Sequence, residues 1–492
     1  MSTEPRKLKF LEKAGYSLGD GAANFVFQTM ILFQLNFYTD TMGIAAASAG
    51  SLLLVGRLWD AFFDPMVGVL SDRTNTRWGK FRPWVLATAL PWGVAMVLAY
   101  TNPGLGVTGN ILWACLTNIL LMTLYSANNT PYSAMTGVMT GDVNERTTLS
   151  SYRFVAAMIA QLIVGGFTLP LVAKFGGANR AKGWQMTMAL WAVICMVCFC
   201  ITFLTTKERI QPDPQQKSSP RQDFRSLLDN RPWKAMFLLT LAHFTVLAMR
   251  GGTMFYYFQY YVSPSRLMDL LQSVGLTGNS GGAWHSFLNT FGLIVDPKGS
   301  NVASVGFSLL NMSTQIVTVV GVLCSAALCA RFGKKAVAIA GFALATLFMS
   351  LFVFVPAESV GTIFLLEYTR ALMYAPTIPL LWAMFADVVD FAEWKTGRRI
   401  TGIIYATILF ALKAGLSLGA AAAGLALAGF GYRANAVQTD QALLGIRLVI
   451  SVFPAILFLV VLACLVTYPI SKKLNIQIQD ELAERRKAFA KA

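Results

Sequence analysis

Arg57, Asp60 and Asp64 stand at i, i+3 and i+7 in the apolar stretch RLWDAFFDP. On a helix that spacing lines all three along one face. Two carboxylates one turn apart in a low-dielectric medium cannot both ionise cheaply, so the pair needs a bound cation or a proton on one member. Sodium and a proton are both chemically sensible occupants. A purely structural Arg57–Asp60 ion pair is the plainer reading, and it leaves Asp64 unexplained. Lys413, in ATILFALKAGLSLG, has no acidic residue nearby in sequence. Its partner is expected on another helix, with Asp60 and Asp64 the evident candidates, where the ammonium would act as a built-in competing cation.

Other polar residues interrupt apolar stretches in the same way. Asn24 lies in GDGAANFVFQ, and Asn128 and Asn129 lie in YSANNTPYSAM; Arg153, Arg250, Arg370 and Trp382 follow. Amides and aromatic rings suit sugar hydroxyls and ring faces, and a guanidinium donates paired hydrogen bonds to hydroxyls or a carboxylate. Each of them alone also fits interhelical hydrogen bonding. Pro131, beside Asn129, would free backbone groups within its helix. Asp387, Asp390 and Glu393 precede Lys395, Arg398 and Arg399, and Asp142, Glu145 and Arg146 form a similar cluster. Such charge clusters suit a gate that locks in one state and separates in another; solvated helix ends are the plainer reading. His243 reads as a packed core histidine rather than a proton relay.

The elements that position these residues follow from composition. The chain has 492 residues, 55% hydrophobic and 13% charged, where soluble domains carry about 25% charged residues. A soluble enzyme, a disordered chain and a secreted disulfide scaffold are excluded, and a polytopic membrane protein remains. Twelve apolar stretches of bilayer-crossing length occur near 18–39, 45–71, 82–101, 108–133, 150–172, 184–205, 233–262, 301–327, 334–355, 361–385, 402–430 and 442–470. With the N-terminus in the cytoplasm, 28 of the 40 Lys and Arg residues fall in inner segments and six in outer loops. That is the positive-inside pattern. It accounts for the net charge of +16 without a nucleic-acid partner and predicts a multi-pass inner-membrane protein with both termini cytoplasmic. The start, MSTEPRKLKFLEK, reads as a polar tail rather than a cleavable signal. The seven cysteines all lie in apolar stretches and read as small packing residues rather than metal ligands.

The expected fold class is all-α, with twelve transmembrane helices in two pseudo-symmetric six-helix bundles. Residues 1–206 form the N-terminal bundle, 207–232 a cytoplasmic linker, 233–470 the C-terminal bundle, and 471–492 a cytoplasmic tail. The halves echo one another: DRTNTRWGKFRP (72–83) is matched by RFGKK (331–335), with Gly79 and Gly333 254 residues apart. Weak self-similarity at half the chain length is the mark of a duplicated transporter bundle. The outer loop 263–301 breaks the symmetry. Its start predicts a short amphipathic helix capped by Ser263, with Pro264 in the first turn and Leu267, Leu270, Leu271 and Val274 on one face. A helix resting at the membrane interface is preferred to a lid.

RLWDAFFDP, then DRTNTRWGKFRPW, then NNTPY, then DVVDFAEWKTGRR together resemble the glycoside–pentoside–hexuronide:cation symporters, the melibiose-permease-like branch of the major facilitator superfamily. The resemblance covers all twelve spans but not the 263–301 loop. It implies sugar uptake coupled to sodium, lithium or protons, with no cofactor beyond the coupling ion, H+ or Na+. By position it implies a cation site at Asp60, Asp64 and Ser126 with Lys413 nearby; the two aspartates would be metal ligands only under sodium coupling. It implies sugar contacts at Asn24, Asn129 and Arg153, with Tyr125 one turn before Asn129, and inner-gate charges at Asp387, Asp390 and Arg398. Asn24 and Asn129 replace aspartates of melibiose-type carriers, so an α-galactoside is not implied. Phe63 stands where sodium users can offer a side-chain oxygen, which favours protons modestly. The partners expected are a small sugar and the lipid bilayer, with the monomer as functional unit. A lysolipid carrier on the same fold and a non-transporting membrane sugar sensor are the rival readings. No nucleophile–base constellation in the polar loops suggests an enzyme.

Overall fold

The computed structural model describes residues 8–140, 143–209, 227, 230–278, 282–397 and 401–489. Asp142 and Arg398, both expected at the inner gate, and most of the expected linker lie outside these residues. Backbone N–H and C=O groups have no water partner in hydrocarbon, so spanning segments must satisfy them internally. The chain does so with helices, and no β-strand occurs among the described residues.

The first six spans are α1 (Phe10–Asn36), α2 (Ala46–Arg73), α3 (Arg82–Ala99), α4 (Gly106–Met139), α5 (Val143–Gly176) and α6 (Arg180–Thr205). The next are α7 (Arg231–Tyr256), the short helices α8 (Pro264–Ser273) and α9 (Ala283–Thr290), α10 (Val302–Phe332) and α11 (Lys334–Leu351). The chain continues with α12 (Val360–Tyr374), α13 (Thr377–Thr396), α14 (Thr401–Gly429), α15 (Asp440–Ile450), α16 (Val452–Thr467) and α17 (Lys472–Phe489). Among the described residues, ten helical segments are long and apolar enough to cross a membrane. The remaining two expected spans are α1 and α2, of 27 and 28 residues. Their length suffices, about 40 Å at helical rise, but they carry Asp20, Arg57, Asp60 and Asp64.

Two expected spans are broken helices. The 361–385 stretch is divided into α12 and α13 at Ala375–Pro376, and the 442–470 stretch into α15 and α16 at Ser451 (φ −123°, ψ −77°). Pro454 has no N–H to offer the carbonyl of Ile450 one turn earlier. Arg250 Nε donates to that carbonyl instead, at 3.1 Å.

The duplication is visible in the backbone. Gly79 and Gly333, the pair matched in sequence, both adopt positive φ (+112° and +84°) just before α3 and α11, a conformation that favours glycine. Spans 1 and 7 also end alike, each in a π-helical turn, at Phe37–Thr41 and Tyr257–Tyr261.

Two compact units are present. The larger comprises Met1–Pro214, Gly251–Met312 and Ala420–Gly445; the smaller comprises Gln215–Arg250, Ser313–Gly419 and Ile446–Ala492. In the larger unit α1 packs on α5 and α6, and α4 packs on α2 and α3. Tyr16, Trp92, Tyr100 and Trp184 are fully buried there. In the smaller unit α11 packs on α12 and α16, and His243 is buried against Phe342, Tyr374 and Phe458, with its Nε2 3.0 Å from the Tyr374 hydroxyl.

The expected amphipathic helix forms as α8, with Pro264 in its first turn and Leu267 and Leu271 buried. Two details differ from expectation. Val274 is exposed, because the helix ends at Ser273, and the Ser263 hydroxyl makes no cap but lies 3.1 Å from that of Ser265.

Gly415 and Gly419 let α14 approach α7 closely: a Cβ at either would overlap the carbonyl oxygen of Leu241 or Thr245, respectively. Small residues four apart are the usual means of close helix contact in lipid. Gly419→Val is therefore expected to destabilise the smaller unit by about 1–3 kcal/mol. Thermal unfolding of the detergent-purified protein checks this, and an unchanged melting temperature would refute it.

Candidate functional site

Asp60 and Asp64, one turn apart on α2, face two hydroxyls one turn apart on α4. Ser126 Oγ donates a hydrogen bond to Asp60 Oδ1, and Thr130 Oγ1 donates to Asp64 Oδ1 at 3.3 Å. Asp60 is completely buried, as is Ser126 to within 1%. Four oxygen-bearing side chains thus line up on two packed helices, a donor set suited to a hard cation or to a shared proton. Thr130 was not anticipated from sequence; its only signal was the i+4 relation to Ser126 in YSANNTPY. Arg57 is buried with its guanidinium 5.7 Å from the centre of the Phe27 ring. Phe63 stacks on Trp59 (6.0 Å, 14°), whose Nε1 donates to Thr123 Oγ1 at 2.8 Å.

A second polar group joins α1, α4 and α5. Arg153 Nη2 donates to Asp20 Oδ1 at 2.9 Å, and its guanidinium lies 5.2 Å from the centre of the Tyr132 ring and 5.8 Å from that of Tyr16. Tyr16 and Tyr132 stack at 4.7 Å, each donating its hydroxyl to the other's backbone carbonyl. Asn24 donates to the carbonyl of Asp20 at 2.9 Å and accepts from Gln161 at 3.4 Å. On α4, Asn129 donates to the Tyr125 hydroxyl at 3.4 Å, and Tyr125 meets Trp92 edge-on at 5.5 Å. Asn24 and Arg153 are thus brought into one hydrogen-bonded group by Asp20 and Gln161, neither anticipated. Asp20 was legible as an acid one turn before Asn24 in span 1.

Arg250, Trp382 and Lys413 belong to the smaller unit. Arg250 forms a bidentate pair with Glu367 (2.7 and 3.3 Å), and Arg370 forms another with the same carboxylate (2.5 and 3.0 Å). Its guanidinium also faces the Phe352 ring at 4.9 Å. Glu367, in an apolar stretch, was overlooked although its i+3 relation to Arg370 pointed to the pair. Trp382 meets Phe385 edge-on at 5.5 Å, and Lys413 is half-buried in α14. Asp387 is buried and held by Lys334 Nζ at 2.7 and 2.9 Å; Asp390 lies one turn on, half-buried. In the larger unit, Lys13 pairs with Glu145 at 2.8 Å, and Glu208 caps α3 by accepting the backbone N–H groups of Lys80, Phe81 and Arg82 at 2.8–2.9 Å.

A cluster where α1 and α7 run into their π turns was not anticipated. The buried Asp40 carboxylate accepts from the Tyr260 hydroxyl at 2.7 Å, the Tyr432 hydroxyl at 2.6 Å and Thr39 Oγ1 at 2.7 Å. Asn435 Nδ2 donates to its backbone carbonyl at 2.6 Å. Asp40 and Tyr260 are the fourth residues of the two matching π turns. Burial, with Tyr256 and Asp40 beside it, pushes the Tyr432 phenol up, so it keeps its proton and donates.

This helical architecture is that of a major-facilitator transporter. The crystal structure of the nucleoside transporter NupG superposes with a TM-score of 0.58 at 14% identity, covering 94% of this chain and all of that one; at that identity the likeness concerns the fold alone. The family model described as MFS/sugar transport protein matches residues 15–284 and 301–472, and the chain belongs to that family. It is 34% identical to the inner membrane symporter YicJ of Escherichia coli (strain K12), over 92% of this chain and 90% of that one. It is 32% identical to the isoprimeverose transporter of Lactiplantibacillus pentosus, over 89% and 84% respectively.

Removing one member of a buried charge group leaves the others uncompensated. Glu367→Ala strands Arg250 and Arg370 and is expected to cost about 3–5 kcal/mol, seen as loss of folded protein on size-exclusion after mild heating. A variant as heat-stable as the parent would show that the two arginines do not depend on Glu367. Tyr432→Phe removes one of three hydroxyl donors to Asp40 and is expected to cost about 1–3 kcal/mol, read as a lower melting temperature of the detergent-purified protein. An unchanged melting temperature would show that this hydrogen bond does not stabilise the cluster.

Proposed function

We propose that this protein is a cation-coupled symporter that carries a glycoside, pentoside or hexuronide into the cell by alternating access. The observation that carries the proposal is the pair of carboxylates on α2 facing two hydroxyls on α4. A structural ion pair accounts for one acid. It does not account for two, each with an oxygen partner. The cation site is Asp60, Asp64 and Ser126, with Thr130 supplying at Asp64 the kind of oxygen that Phe63 withholds, and Lys413 acting as a competing cation. Asn24, Tyr125, Asn129 and Arg153 are the proposed sugar contacts of the larger unit, and Arg250 and Trp382 those of the smaller. Asp142, Asp387, Asp390 and Arg398 are the inner-gate charges.

The mechanism follows from linkage. A cation at Asp60 and Asp64 neutralises the pair, favouring sugar binding, and sugar must tighten cation binding by the same factor. Rocking of the two repeats then exposes the loaded site to the other side. One positive charge moving inward is worth about 2.3 kcal/mol per 100 mV, or roughly fiftyfold accumulation. The relatives' names, a symporter and an isoprimeverose transporter, support a sugar cargo. The positive-inside pattern supports an inner-membrane orientation with both termini cytoplasmic, and the protein is proposed to act as a monomer.

The test is uptake of a radiolabelled glycoside panel into proteoliposomes, with sodium and proton gradients imposed separately. One sugar is expected to accumulate under one gradient, and Asp60→Asn to abolish accumulation while the protein stays folded. Undiminished accumulation in that variant would sink the mechanism.

A further inference from the structure

The family match stops at residue 284 and resumes at 301, so 285–300 lies outside the matched region. It is firmly built. Lys174 Nζ donates to the carbonyls of Asn289 and Thr290 at the end of α9, at 2.5 and 3.0 Å. Phe291 packs on Phe167 at 4.8 Å. The returning segment is fixed by Val295 N donating to the carbonyl of Leu276 at 2.8 Å, and by Asn301, which donates to the carbonyl of Ile294 at 3.0 Å and accepts from Asp296 N at 2.9 Å. On the other flank Leu267 of α8 seats against Gly306, where a Cβ would meet its side chain at 2.7 Å.

Beneath this roof lies a cavity of about 850 Å³, within the range of small-molecule sites. Arg180, Phe255 and Gln259 line it, and none of the residues proposed to hold sugar in the spans does. Gln259 Oε1 is buried without a hydrogen-bond partner among the described residues, an acceptor left for a ligand hydroxyl. Arg180 lies 5.8 Å from the centre of the Phe255 ring, with one donor on Asn36 Oδ1 at 3.1 Å; its fork has five. The ionic groups on the wall are Lys174 and Arg180 against Asp296, whose carboxylate accepts from Ser300 N at 2.8 Å and from the Ser300 hydroxyl. The balance is positive, and the cation with donors to spare is a guanidinium beside an aromatic ring and an amide acceptor.

We propose that this cavity is an outer-face binding site for a carboxylate-bearing sugar. Arg180 would pair with the carboxylate, Gln259 Oε1 would accept a hydroxyl, and the 285–300 segment would be the roof that makes the site. The identity of the ligand as a sugar rests on the transport reading above; the site itself does not.

The test uses the full chain in nanodiscs of neutral phosphatidylcholine, with D-glucuronate and D-glucose as probes in calorimetric titrations. Arg153→Ala removes the sugar site in the spans. In that background glucuronate is expected to bind and glucose is not. Adding Arg180→Gln should weaken glucuronate about ten- to hundredfold, as loss of a charge-assisted bond does. Adding Ala303→Phe, which fills the cavity without changing charge, should weaken it similarly, with an unchanged melting temperature showing that each variant is folded. Absence of glucuronate binding in the Arg153→Ala protein, or binding that survives both second changes, overturns the proposal. So does equal affinity for glucose. Glucuronate binding here with no uptake of any sugar in proteoliposomes would sink the transport reading and leave the site standing.

Discussion

A carboxylate with no access to water governs how this structure is built. Charged side chains in a span cost about 2.5–3.5 kcal/mol each on insertion scales, and Asp60 is buried completely. It persists because α4 brings a hydroxyl to it, and a second hydroxyl to Asp64 one turn further on. That requires α2 and α4 to lie side by side in register over a full turn. The remaining contacts of the larger unit, α4 against α3 and α1 against α5 and α6, hold the helices that carry this pair and the Arg153–Asp20 group.

The same demand for satisfied polar groups explains features that look unrelated. Pro454 frees the Ile450 carbonyl, and Arg250 fills the vacancy while two of its other donors meet Glu367. The guanidinium thus repairs a broken helix and joins an ion group in one placement. Two arginines on one glutamate leave that group with an excess positive charge in the smaller unit. The two π turns present equivalent residues, Asp40 and Tyr260, that hydrogen-bond to one another. A duplicated backbone irregularity has become a self-complementary contact.

Much of this was legible in the chain itself. The all-α membrane class, the approximate spans and the duplicated loops followed from apolar run length, charge placement and the Gly79–Gly333 echo, because these properties act locally or through the bilayer. The i, i+3, i+7 spacing put Arg57, Asp60 and Asp64 on one face for the same reason: helical geometry is set within a few residues. The position of α8 was legible as an amphipathic pattern, although its Ser263 cap was not formed, since the hydroxyl found Ser265 instead.

What the tertiary structure decided was partnership. Thr130 opposite Asp64, Asp20 against Arg153, Glu367 between two arginines, and Asp40 under Tyr260 and Tyr432 join residues up to 392 positions apart. No periodicity encodes which helix faces which, or at what height a side chain meets its neighbour. The burial of charge makes such partners necessary, so a lone ionisable residue in an apolar span announces that a partner exists. Only the packing of the helices says who it is.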